Sequence, residues 1–170
     1  MGKNSRISST DGPGSSEQIG GKCGGVVDDT IRYLNTDLDL TSGDDLTALA
    51  AAFEAQVVSP LDVTHGEDGL WYATFETDKQ HEQPDPNIAA IRAVIESLAG
   101  PLRTVWSGCT RREFNIGYAC GSKPWAFNQG LSSQLLGRMA AVGASQRITL
   151  YPPAIEKTGE PCAIRVSGGV

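Results

Sequence analysis

Two groups of side chains in this sequence have the types and spacing to do chemistry. Arg111, Arg112, Asn115 and Asn128 bring guanidinium and carboxamide donors into one stretch, a set suited to holding an anion, and Arg147 adds a further guanidinium beyond it. Asp37, Asp39, Asp44 and Asp45 are the opposite kind of group, carboxylates that would meet a basic partner. At first sight these acids look like a calcium loop, but that motif's glycine and terminal glutamate are missing from the spacing. Cys120, beside Tyr118 and Gly121, is the best nucleophile, with Glu113 or His65 as a base that folding would have to bring near. No spacing joins them, so catalysis is not the expected role. Gly20, Gly21, Gly24 and Gly25 lack the spacing and the Lys-Ser/Thr of a phosphate loop. His65 and His81 have no metal-ligand spacing to any cysteine, and no cofactor or metal is expected.

A chain of 170 residues has room for one ordinary domain with a real core. Its 39% hydrophobic and 20% charged content is that of a globular protein, and no apolar run approaches the roughly 20 residues of a membrane span. The first residues carry bases with no apolar segment after them, so a secretory signal is not expected and the cytoplasm is the expected compartment. In a reducing compartment Cys109 and Cys120 read as plain buried thiols.

The net charge of -6 hides a division. Residues 27–100 hold fifteen acids against Arg32, Lys79 and Arg92, a balance of -12, whereas residues 101–152 hold Glu113 against six bases, a balance of +5. If both halves share one sheet, they should neutralise each other with little effect on stability. An acidic chain is a poor partner for phosphate backbones, so nucleic acid is not expected.

Period-two alternation predicts strands at Phe114, Ile116 and Tyr118, at Trp71, Ala73 and Phe75, and at Ile148 and Leu150, the last ended by Pro152 and Pro153. A short strand through Ile31, Tyr33 and Leu34 should lead into an acidic loop over residues 37–40. Residues 56–64 read as an edge or bulged strand because Pro60 interrupts them. Trp125 and Phe127 read as a strand returning from the 114–118 strand as a hairpin. A helix capped by Thr41 or Ser42 should hold Asp44 and Asp45 in its first turn and bury Leu46, Leu49, Ala50 and Phe53. Another is capped by Asp85 with Pro86 first and carries the stripe Ile88, Ile91, Ile95 and Leu98. A third is capped by Ser132 or Ser133, carries Leu135, Leu136, Met139 and Val142 at helical spacing, and stops at Gly143. Leu102, Val105 and Trp106 suggest one further helical turn, and the three tryptophans read as core or rim packing.

The expected fold is α+β: a ferredoxin-like βαββαβ with an added βαβ, a mainly antiparallel sheet with helices on one face. Residues 1–26 are expected to be a disordered extension, 27–152 the single domain, and 153–170 a polar tail with a strand-like run over residues 162–166. Alternation puts Tyr72, Thr74, Glu113, Asn115, Asn128, Arg147 and Thr149 on the uncovered sheet face.

The run Gly130-Leu131-Ser132, then Leu135-Leu136, Ala140 to Ala144 and a strand closing on Leu150-Tyr151 resembles the carboxyl-terminal portion of an uncharacterised bacterial family, domain-of-unknown-function family 4279. The resemblance covers about a third of the chain and implies fold rather than catalytic residues; some related small bacterial α+β proteins act as immunity or binding partners. The function expected from the residues is non-catalytic protein binding, with a self-associated dimer as one form of it, through the open face and the acidic first half. The competing expectation is a small-molecule module or cryptic enzyme holding an anion on Arg111, Arg112, Asn115 and Asn128.

Overall fold

The computed structural model describes residues 29–153. Within them lie β1 (Arg32–Ser42), α1 (Thr47–Glu54), β2 (Val58–His65), β3 (Trp71–Thr77), α2 (Pro84–Ser97), α3 (Gly100–Gly108), β4 (Arg111–Ala119), α4 (Ser133–Ala141) and β5 (Ser145–Tyr151). The strands form one sheet in the order β2-β3-β1-β4-β5, antiparallel throughout except for the parallel pair β4 and β5. This is a mixed α+β fold, consistent with a ferredoxin-like core plus extra elements. The run at residues 162–166 lies outside the described residues.

Alternation divides the sheet into two chemically different faces. Leu38 and Leu40 of β1, Ala73 and Phe75 of β3, and Phe114 and Ile116 of β4 are buried. They join one apolar cluster with Leu49 and Phe53 of α1, Ile88, Ile91 and Ile95 of α2, Trp106 of α3, and Leu135 and Met139 of α4. Phe53 and Phe75 meet with ring centroids 4.9 Å apart. All four helices therefore contribute to the core on the same side, and among the described residues no helix covers the other face.

Several elements differ from their sequence expectation. β1 runs on to Ser42, so Asp37 and Asp39 lie in a strand and not in a loop. Thr36, Leu38 and Leu40 turn inward while the acids turn out, the same period-two rule that the acidity of the segment obscured. Because Thr41 and Ser42 are taken up by β1, helix α1 starts only at Thr47. Ser42 Oγ accepts from the Asp44 N–H at 3.0 Å, and Asp45 Oδ1 accepts from the Thr47 N–H at 2.7 Å, so Asp45 serves the helix start from outside. In α2 it is Pro84 that opens the helix, and Asp85 lies in its first turn instead of capping it.

The expected strand at Trp125 and Phe127 is absent: residues 120–132 form no strand or helix, and Trp125 is 97% exposed. Both edges of β4 are already occupied, one by β1 and the other by β5, which leaves no ladder for a returning hairpin. The loop instead turns back to the amino-terminal end of the described chain, where Ile31 N–H donates to Lys123 O at 2.6 Å. Three local expectations hold. Pro60 sits at a register shift in edge strand β2, Ser132 caps α4 through the Leu135 N–H, and Gly143 ends that helix at φ +73°.

Candidate functional site

The uncovered face is built in rows by strand register. Asp39 lies opposite Thr74 of β3 on one side and Glu113 of β4 on the other; Asp37 lies opposite Asn115, which pairs with Arg147 of β5. A further row runs through Asn35, Gly117 and Thr149. A bulge between Tyr33 and Asn35 sets the phase, sending Tyr33 to the core side and Asn35 outward.

Two arginines clamp the centre of this face. Arg111 Nη2 lies 2.5 Å from Glu113 Oε1 and 3.1 Å from Asp39 Oδ2; Arg147 Nη2 lies 2.6 Å from the same Asp39 oxygen, and its Nε 3.3 Å from Glu113 Oε1. Thr74 Oγ1 donates to the other Asp39 oxygen at 3.0 Å. Here the acidic and basic halves of the chain neutralise each other, as their shared sheet led one to expect.

Asp37 and Glu76 are left over. Among the described residues neither forms an ion pair with a base, and Asp37 is held only by Asn35, whose Nδ2 donates to its two oxygens at 2.9 and 3.1 Å. Burial first, then the charges of Asp39 and Glu76, push the Asp37 carboxyl up to about 6. Because the folded value lies above the ordinary 3.8, this group favours folding at low pH, and that contribution is lost as the pH rises through about 6. Asp37→Asn should therefore unfold at higher urea than the wild type at about pH 7.5 and at the same urea at about pH 4. A sealed carboxyl raised that far would lose about 3 kcal/mol, which partial exposure reduces to about 1 kcal/mol here. Equal midpoints at the higher pH would show that solvent already screens Asp37.

At one end of this face lies a cleft of about 210 Å³ bordered by Asn35, Thr36, Glu76, Thr77, His81 and Asn87, among others. Its buried wall is fully bonded. Asn87 Nδ2 donates to Tyr33 Oη at 3.0 Å, Thr77 Oγ1 lies 3.4 Å from Asn87 Oδ1, and Tyr33 Oη lies 2.9 Å from Thr36 Oγ1. A satisfied polar wall of this kind is rigid.

Of the residues singled out in the sequence, Asp37, Asp39, Arg111, Asn115 and Arg147 share the open face. Arg112 does not: consecutive strand residues point to opposite faces, and its Nη1 reaches the carbonyls of Trp106 and Ser107 at 3.5 and 3.4 Å. Asn128 belongs to the exposed loop. Asp44 and Asp45 occupy the turn between β1 and α1. The anion group of Arg111, Arg112, Asn115 and Asn128 is thus divided among three places. Glu113 and Cys120 stand near opposite ends of β4, about 20 Å apart at strand rise, and the His65 ring packs on Trp71 in the β2–β3 hairpin. Burial raises the Cys109 thiol, and its Sγ donates to Val105 O at 3.4 Å, as in an inert core cysteine.

Sequence reading passed over Asn35, Glu76 and Asn87. Alternation carried through residue 41 would have placed Asn35 beside Asp37, but no local signal marks Asn87, whose role depends on α2 crossing the end of β1. Among the described residues no helix is long and apolar enough to cross a membrane. No protein-family model matches the chain, and no curated protein or solved structure is significantly similar to it, so the reading of the site rests on its own geometry.

Proposed function

We propose that this chain is a non-catalytic binding module whose open sheet face takes a basic segment of a partner protein. The observation that carries this reading is the pair Asp37 and Glu76, two carboxylates without a cationic partner among the described residues, beside a network whose own charges cancel. A lysine or arginine from outside would relieve Asp37 and complete the pattern. The strand order supports reading β1 to β4 as a ferredoxin-like core to which α4 and β5 are added. A self-associated form would use β5, an edge strand whose Ile148 and Leu150 are 57% and 63% exposed. An anion site has less support, because Arg111 and Arg147 are engaged with Asp39 and Glu113 and Arg112 faces away.

The test is titration with a deca-lysine peptide at low and moderate salt. Wild type should bind with affinity that falls as salt rises, and the double reversal Asp37→Lys with Glu76→Lys should weaken it about tenfold. Reversing Glu54 and Glu67, exposed acids on other elements, should change it little. Asp39 is left intact because it holds the network together. Equal losses from the two double variants would reduce the interaction to net charge and sink the proposal.

A further inference from the structure

Residues 78–83 form a loop with a hollow on either side of it. On one side is the polar cleft beside Glu76. On the other is a groove of about 320 Å³, largely apolar, walled by Val57 and Ala90. Thr77, Asp78, Lys79 and His81 border both, so the two hollows adjoin at this loop.

Val57 gives the apolar hollow its significance. Its φ of +70° lies in the left-handed region, which a β-branched residue enters only under strain. Its carbonyl accepts from the Asp78 N–H at 3.1 Å, so this backbone shape ties the α1–β2 junction to the loop. Glycine would adopt that shape without strain. Valine instead keeps a side chain that is 61% exposed and contributes nothing to the core, yet forms the wall of the groove. The polar hollow has a rigid wall and an acidic rim: Glu76 and Asp78 border it, Asp37 adds its field beside Glu76, and among the described residues Lys79 is the one lysine or arginine on the rim.

We propose that these adjoining hollows bind a small amphiphilic organic cation, an alkyl- or arylammonium, with its ammonium in the polar cleft beside Glu76 and its apolar body reaching past the shared residues to Val57 and Ala90. The groove supplies apolar area, and the carboxylates choose the sign of the head group. The isopropyl group of Val57 is the part of that contact which a glycine, free of the strain, could not supply.

Titration of the full chain with hexylammonium, followed by amide NMR, tests this. Saturable shifts should centre on residues 57, 77–81 and 90, with hexanoate binding at least about tenfold more weakly. Val57→Gly should raise the melting temperature while weakening hexylammonium about tenfold, opposite signs that a scaffold role would not produce. Glu76→Gln should bring hexylammonium down to the affinity of hexanol. Absence of a saturable shift in the wild type, equal binding of hexanoate, or unchanged hexylammonium affinity in Val57→Gly would each overturn the proposal.

Discussion

Replacing Trp106 with alanine should lower folding stability by about 4 kcal/mol, a large share of what a domain of this size possesses. Trp106 is 1% exposed and is the buried anchor of the short helix α3. Its indole Nε1 donates to Val142 O at 3.0 Å, which fastens α3 to the end of α4, and its own carbonyl faces Arg112 Nη1 at 3.5 Å. Alanine would leave a cavity and an unpaired buried carbonyl together. Trp106→Phe separates the two effects: most of the apolar volume remains, and loss of the hydrogen bond should cost about 1–2 kcal/mol. Urea unfolding followed by circular dichroism reads both. An alanine variant within about 1 kcal/mol of wild type would mean that α3 is not an integral part of the core.

Asp39→Ala should be the next most damaging change, at about 2 kcal/mol. The Asp39 side chain is 14% exposed and takes contacts from β3, β4 and β5 at once, through Thr74, Arg111 and Arg147. Removing it leaves two guanidiniums around Glu113 alone. Because the arginines are more exposed than the acid between them, solvent screens part of the loss, which keeps the figure below that of a sealed pair. The damage should concentrate in β5, since Arg147 is the side chain that reaches from that edge across β4 to β1. Hydrogen exchange should therefore show lost protection at residues 145–151 before other strands. A second consequence follows at Asp37, whose raised carboxyl owes part of its shift to Asp39. Asp39→Ala and Asp37→Asn should for that reason be non-additive in a double-mutant cycle. A cost under about 0.5 kcal/mol for Asp39→Ala would reduce the network to a solvated surface.

These expectations also show where local and non-local information part. Phe75, Phe114 and Ile116, and the stripe Ile88, Ile91 and Ile95 were readable as core from periodicity, because side-chain direction in a strand or helix is set within a few residues, whereas Leu38 and Leu40 were hidden by the acids that alternate with them. Ser132, Gly143 and Pro60 likewise act through backbone groups next to them, and each does in the fold what its chemistry predicts. The same rule, applied strictly, separates Arg111 from Arg112, which grouping by charge had joined.

What the sequence by itself determined is therefore the α+β class, the buried stripes of the helices and of β3 and β4, and the caps and breaks that act on the backbone beside them. Only the tertiary structure decided that Asp39 meets Arg147 from 108 positions away, that Asp37 and Glu76 are left without a base among the described residues, and that β5 rather than residues 125–128 fills the free edge of β4. The physical reason is that strand order fixes which side chains become neighbours across a sheet. That order is selected by which edges remain free and which faces need covering in the whole chain, a competition that no local period records.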